Sequence, residues 1–101
     1  MLVHNITTKI EWTRAKEWLS WMKEAYIPQL LATRLFDKVN FYRLLYLDDA
    51  DGATFVVQCH ASNSAKHQEF QEKFAKQFQE MALQHWGNQL VSFETVMKEV
   101  D

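Results

Sequence analysis

Apolar residues recur along the chain with two different periods, and the first half contains one segment of each kind. Residues 2–10, LVHNITTKI, are rich in β-branched types that alternate loosely with polar ones, which predicts a strand. Pro28 lacks an amide hydrogen and disfavours helical geometry at the residue before it, so a helix should end or kink there, leaving residues 28–36 as a structured connection. Ahead of it, apolar positions at helical spacing predict a first helix from residue 12 to residue 26: Trp12, Ala15, Trp18, Leu19, Met22 and Tyr26.

The second half continues with a hairpin, a helix and a last strand. Residues 38–47 and 53–61 both have a β-like pattern and flank a polar turn, and residues 89–100 predict strand four. Gly52 and Gly87 stand at predicted element boundaries, and we expect a positive φ at both. Candidate N-caps at residues 62–64 precede a helix with one apolar side that runs until Gly87: His67, Phe70, Phe74, Phe78, Met81 and His85.

The order of the predicted elements, βαββαβ, indicates a single α+β domain over residues 1–101 with a ferredoxin-like fold. In this fold two helices pack on one face of a four-stranded antiparallel sheet. The other face would carry Tyr42, Leu44, Tyr46 and Val56, a larger apolar patch than a monomer normally exposes. We therefore expect a homodimer formed by sheet-to-sheet packing, with strands two and four contributing.

Composition narrows the function classes. Hydrophobic residues make up 48% and charged residues 24% of the chain, as in ordinary globular domains. A net charge of −2 gives no footprint for nucleic acid, and the predicted strand three, DGATFVVQC, lacks the basic residue and spaced aromatics of RNA-recognition modules. The sequence shows neither a leader nor a long apolar run, so we expect neither secretion nor a membrane span. The single cysteine, Cys59, lies in a predicted strand, which favours an inert buried thiol and a cytoplasmic, reducing compartment.

Motifs for metals and cofactors are weak. The turn at residues 48–52 superficially resembles a calcium loop, but Gln58 stands where a bidentate glutamate is needed, which favours a solvated hairpin turn. The four histidines show no close ligand spacing, so we expect no metal site. Neither glycine opens a helix, so we expect no nucleotide cofactor.

The segment WLSWMKEAYIPQLLATRLF, residues 18–36, together with the opening LVHNIT and the closing VSFETVMKEV, resembles the bacterial family called domain of unknown function 4286. This chain has Tyr26 where a histidine is frequent in that family and Arg34 where a glycine is frequent. The resemblance implies a dimeric α+β barrel, in which two ferredoxin-like sheets face each other. It implies self-association or small-ligand binding with no established activity. The alternative that it implies is a cofactor-independent oxygenase or isomerase-like enzyme for a small aromatic or polyketide-like substrate.

Four residues are candidates for a site in the cleft between the first helix and the sheet. His4 lies on a strand that is central in this topology, so it can face the cleft with Trp18 and Tyr26. Arg43 is a charge between apolar neighbours and needs a partner such as Glu94 or a ligand anion. The ligand-binding hypothesis assigns Trp18, Tyr26 and Arg43 to an aromatic or acidic small molecule, with His4 as acid or base. The alternatives are a hydrogen-bonded core histidine, a structural ion pair and a cleft filled by side chains.

Trp21 stands at the edge of the apolar stripe of the first helix. Its position indicates either an interface or pocket rim, or a ring that lies over neighbouring side chains. We leave both interpretations open.

Overall fold

A computed structural model describes residues 1–101 and contains one four-stranded antiparallel sheet. Its strands are β1 (Leu2–Glu11), β2 (Lys38–Arg43), β3 (Gly52–Ala61) and β4 (Leu90–Lys98). The strand order is β2-β3-β1-β4, so β1 lies in the interior of the sheet, between β3 and β4. The predicted ferredoxin-like architecture is confirmed.

Two helical segments cover one face of this sheet. The first consists of α1 (Trp12–Trp21), a π-helical turn (Met22–Tyr26) and α2 (Ile27–Ala32). The second consists of α3 (Ser64–Lys73) and α4 (Ala75–Trp86), which a 3-10 turn connects to β4. The sequence pattern predicted one uninterrupted second helix, but Phe74 leaves helical geometry with φ −126° and divides it.

Of the two outcomes predicted at Pro28, an end or a kink of the helix, the end is wrong, because the helical segment continues past the proline. Ile27 keeps helical angles of φ −63° and ψ −44°, and its amide donates to the Met22 carbonyl five residues earlier. This wider π turn lies directly ahead of the proline, where the ring would otherwise crowd the preceding helical turn. The helix therefore continues to Ala32 and buries Leu30 completely.

Glycine and αL positions mark the ends of elements. Gly87 has φ 57°, as predicted, and follows α4. Gly52 does not have a positive φ, so that prediction is wrong; a Cβ there would lie 2.4 Å from the Ile10 carbonyl oxygen, and glycine is needed for this close approach. Arg34 has φ 63°, the conformation that favours the glycine frequent in the resembling family. Of the candidate N-caps, Asn63 is the one used, since its side chain accepts from the Lys66 amide at 2.9 Å.

The hairpin is shorter than predicted on its first side. β2 ends at Arg43, and only the Leu44 amide continues the pairing, donating to the Thr54 carbonyl at 2.9 Å. Residues 44–47, LLYL, therefore lie in the loop rather than in the strand, and all four side chains are exposed. Tyr46 there has φ 63°.

Alternation along the strands separates the two faces of the sheet. The even residues of β1 and the odd residues of β3 pack beneath the helices, and Ile10, Val57 and Cys59 are almost completely buried there. Of the predicted helical stripe, Ala15, Trp18, Met22 and Tyr26 are buried. Trp12 is largely exposed and leaves the stripe, because its indole donates to the Asp49 carbonyl at 2.7 Å.

The face of the sheet away from the helices, here called the open face, carries the other residues of each strand. Strand pairing arranges them in rows across the sheet. One row is polar and includes Asn40, Gln58, Asn5 and Thr95, and the adjacent row includes Tyr42, Val56, Thr7 and Phe93. Val91, Phe93, Met97 and Tyr42 are exposed on this face. Of the predicted apolar patch, only Tyr42 is exposed on this face, because Val56 is buried and Leu44 and Tyr46 belong to the adjoining loop. The other exposed apolar side chains of the face come mainly from β4.

No helix of this structure is both long enough and apolar enough to span a bilayer.

Candidate functional site

A pocket of about 210 Å³ opens between α4 and the β1–β4 side of the sheet. Its walls are mainly apolar, and its polar groups are the side chains of Tyr26, Gln79, Ser92 and Glu94. A larger concavity of about 290 Å³ lies between α2 and α4, but no titratable side chain lines it. Because specificity in small-molecule sites comes from a few polar groups within apolar walls, the Tyr26–Glu94 pocket is the better candidate.

Tyr26 reaches this pocket from the π-helical turn. Its ring packs edge-on against Phe78, with centroids 5.4 Å apart, and against Trp21 at the same separation. Burial raises the pKa of its hydroxyl far above the ordinary value, and the charge of Glu94 raises it further. The phenol therefore keeps its proton and remains a hydrogen-bond donor.

Behind the pocket, three titratable side chains form a chain that begins nearer the surface. His67, on α3, is half-buried, and its Nε2 lies 3.0 Å from Nδ1 of His4. His4 is 2% exposed, and its Nε2 lies 3.6 Å from Oε1 of Glu94, a contact longer than a good hydrogen bond. Glu94 in turn lines the pocket. This arrangement connects the surface to the pocket through two imidazole rings.

The electrostatics of this chain favour an ionised Glu94 and a neutral His67. The neighbouring ring of His4 is the main cause that lowers the pKa of Glu94, and the Gln79 side chain lowers it further, against a burial effect that would raise it. The pKa of His67 is lowered by burial first and by the neighbouring His4 second. A carboxylate therefore faces the pocket under neutral conditions.

Trp18 fills the part of the cleft under α1. It is almost completely buried, and its ring packs against Phe55 at 5.4 Å and Phe41 at 5.7 Å between centroids. Only a cavity of about 40 Å³ remains beside Trp18 and Met22, next to Tyr26. The cleft is thus filled at Trp18 and open beyond Tyr26, toward α4.

Arg43 does not join the other candidates. Its guanidinium is 43% exposed and donates to Asp49 Oδ2 at 2.7 Å, while its Cζ lies 5.1 Å from the centre of the Trp12 ring. Glu94 as its partner is wrong, because the turn after β2 brings Asp49 back to it. The structural ion pair, one of the two alternatives, is what forms.

Glu94 and Gln79 are the pocket residues that sequence reasoning missed. The strand register of the structure brings Glu94 to the site: β4 pairs with β1 so that Glu94 stands opposite Ile6, and Val96 opposite His4. Side chains on the same face of neighbouring strands meet, so this register places a carboxylate near His4. Gln79 lies on a polar stretch of α4 and gave no such signal.

Two other predicted positions are settled by the packing. Trp21 packs on Tyr26, His85 and Trp86 and borders the small cavity, so it is both a covering ring and a wall. Cys59 is fully buried, and burial raises the pKa of its thiol to about 12, with a further increase from the charge of Glu94. Both facts agree with the predicted buried thiol.

The model of the family described as Domain of unknown function (DUF4286) matches residues 1–100. This chain belongs to that family. No established activity accompanies the family description, and no curated protein matches the sequence.

Solved structures show the fold with little sequence identity. HapK from Hahella chejuensis is 10% identical, with a TM-score of 0.69 over 99% of this chain and 93% of that one. An ethyl tert-butyl ether (EthD) family protein from Bacillus halodurans is 11% identical, with a TM-score of 0.67 over 99% and 100%. A dimeric ferredoxin-like protein from an uncultured marine organism is 11% identical, with a TM-score of 0.68 over 98% and 97%. The fold is therefore shared with a dimeric protein.

Proposed function

We propose that this domain binds a small molecule in the Tyr26–Glu94 pocket. The observation that carries the proposal is the presence of the Glu94 carboxylate and the Tyr26 side chain in the wall of one mainly apolar pocket of about 210 Å³. The Glu94 side chain is partly exposed beside this open space, and its long contact with His4 leaves acceptor capacity for a further partner. A ligand in the pocket would gain both the apolar walls and the polar contacts.

A variant that fills the pocket tests this proposal. Ala82 lies on α4 in the pocket wall, and Ala82→Phe places a ring in the open space. Ala32→Phe, in the wall of the concavity of about 290 Å³ between α2 and α4, adds the same ring elsewhere and is the matched control. A screen of single-ring compounds by protein-observed NMR should find ligands whose binding is lost in Ala82→Phe and kept in Ala32→Phe. Ligands that bind both variants equally would place the site elsewhere, and the proposal would fail.

We also propose that two copies associate through their open faces. Val91 and Phe93 are 70% and 60% exposed there, and the exposed loop at residues 44–47 follows β2 at the edge of the same sheet. Large apolar side chains exposed on one side of a domain often mark a protein interface. The fold is shared with a protein described as dimeric and ferredoxin-like, which supports the association of two copies.

Sedimentation at micromolar concentration tests the association. Phe93→Lys places a charge in the middle of β4 and should convert the dimer to a monomer, because two buried like charges would face the interface. Leu31→Lys, which adds the same charge on α2 at a partly exposed position, should leave the dimer intact. A monomeric wild-type protein would contradict the proposal.

A second candidate function is acid–base catalysis in the same pocket. The specific observation in its favour is the chain from His67 through His4 to Glu94, which provides a route for one proton between the surface and the pocket. In this scheme Glu94 contacts the substrate, and His4, the predicted acid or base, holds and exchanges its proton. This is the cofactor-independent alternative that the family resemblance implies.

The other predicted features have different places in the proposal. Trp18 fills the cleft next to Tyr26 and borders only the cavity of about 40 Å³ there. Arg43 takes no part in the pocket because it pairs with Asp49. We also propose, from the sequence, that residues 1–101 form one domain and that the protein is cytoplasmic.

A further inference from the structure

We propose that the pocket selects a neutral or cationic molecule of about one ring that donates a hydrogen bond to Glu94, and that it rejects anions. This inference rests on the proposed small-molecule binding and names the class of ligand. It differs from the expectation of an acidic ligand, because that expectation relied on Arg43.

The size of the pocket limits the ligand. A dry cavity of about 150 Å³ in another protein holds one benzene molecule. A pocket of about 210 Å³ therefore admits one ring with a short substituent, or an aliphatic chain of similar volume. Apolar walls from Ile6, Phe78 and Leu90 surround most of that volume and suit a hydrocarbon body.

The charges around the pocket set its preference. Glu94 is the only charged side chain in its wall, and neither lysine nor arginine lines it. Arg43, the cation expected from the sequence, is held outside by Asp49. His4 contacts Oε1 of Glu94 from the buried side, but it does not line the pocket. A ligand carboxylate would therefore meet a carboxylate in a partly desolvated space, which is unfavourable.

The hydrogen-bonding groups define the polar end of the ligand. An ionised carboxylate only accepts hydrogen bonds, and it has room for several donors. The contact of Glu94 with His4 is 3.6 Å long, so acceptor capacity remains on Glu94 for a ligand donor. Tyr26 also lines the pocket, and a ligand hydroxyl that reaches its phenol can accept a hydrogen bond there. An ammonium group satisfies Glu94 alone and adds a favourable charge interaction.

Four probes that share one ring separate these contributions: benzyl alcohol, benzylamine, benzoate and toluene. Protein-observed NMR titrations give their dissociation constants on the wild type, Glu94→Gln and Glu94→Asp. Glu99→Gln, which removes a carboxylate just beyond the end of β4, is the matched control. Circular dichroism of each variant checks that the fold is kept.

On the wild type, benzyl alcohol and benzylamine should bind at least about tenfold more tightly than benzoate. Toluene should bind more tightly than benzoate and less tightly than the other two. Glu94→Gln should reduce the affinity for benzylamine about tenfold and improve that for benzoate, whereas Glu94→Asp and Glu99→Gln should keep the wild-type order. If Glu94→Gln does not fold, the order of the four probes on the wild type and on Glu94→Asp still decides.

Two failures are distinguishable. Benzoate that binds the wild type as tightly as benzylamine, with binding lost in Ala82→Phe, would overturn the charge preference and keep the proposed function. Binding of all probes that Ala82→Phe leaves unchanged would overturn the pocket itself and with it this inference.

Discussion

The two faces of one sheet have opposite designs, although they are built from alternate residues of the same strands. On the helix side, Ile10, Val57 and Cys59 pack under Trp18 and Leu30 and are almost completely buried. On the open face, apolar side chains remain exposed beside a polar row: Asn40, Gln58, Asn5 and Thr95. The helix side is a packed core that leaves a pocket of about 210 Å³ and a cavity of about 40 Å³, whereas the open face keeps exposed apolar side chains.

The comparison teaches where each kind of function can lie. A pocket needs rigid walls, and the helix side supplies them around Tyr26 and Glu94. An interface needs exposed apolar area and hydrogen-bonding groups that have no partner within their own chain. The open face has both, because Oδ1 of Asn5 and Nδ1 of His60 are buried without a hydrogen-bond partner.

The largest effect should separate the two faces directly. Trp18→Ala removes a ring from a closed core and should lower the free energy of unfolding by about 3–5 kcal/mol. Phe93→Ala removes an exposed ring from the open face and should cost less than about 1 kcal/mol in the monomer. Urea denaturation of both variants at low protein concentration measures the difference. Equal losses would mean that the open face is as well packed as the core.

A smaller effect concerns the charge in the pocket. Glu94→Gln should lower the free energy of unfolding by only about 1 kcal/mol, because the Glu94 side chain is 36% exposed and solvent screens its contact with His4. Glu99→Gln is the exposed control and should change almost nothing. A loss of several kcal/mol would show that Glu94 serves the core rather than a ligand.

The pH dependence of stability should show the same groups. The folded state lowers the pKa of His67, so its contribution is present above the ordinary histidine pKa of about 6.5 and is lost as pH falls below it. The pKa of Glu94 is also lowered, so its contribution is lost at more acid pH, below the ordinary value of about 4.3. His67→Gln should reduce the first decline, to which His60 also contributes because burial and then Lys38 lower its pKa, and Glu94→Gln should remove the second, measured by thermal unfolding across pH. If both variants kept the wild-type pH profile of stability, the contacts assigned to His67, His4 and Glu94 would be contradicted.

The smallest effect lies at the rim of the helix layer. Arg34 ends α2 with a positive φ, and the chain then turns Leu35 and Phe36 into the core. Arg34→Gly removes the cost of this backbone conformation and should stabilise the fold by about 0.5 kcal/mol, since the added freedom of the unfolded chain offsets part of the gain. Arg34→Ala, which keeps a Cβ, should give no such gain in chemical denaturation. A destabilised Arg34→Gly would show that the arginine side chain has another structural role.

The sequence alone was sufficient for the elements that depend on local periodicity. The alternation in residues 2–10 and 53–61, the stripe that contains Trp18 and Met22, and Gly87 at the end of α4 each express a rule that acts within a few residues. The same rules failed at Pro28 and Gly52. There, the outcome depended on a π turn and on the approach of the Ile10 carbonyl, which no local pattern records.

The tertiary structure alone decided the site. His4 and Tyr26 were identifiable as candidates, but their partners came from strand register and helix packing: His67 from α3, Glu94 from β4 and Gln79 from α4. Arg43 was lost to the site because the hairpin loop folds Asp49 onto it. Periodicity fixes which side of an element a residue occupies. It does not fix which residue of another element stands opposite, because that depends on register and on long-range packing.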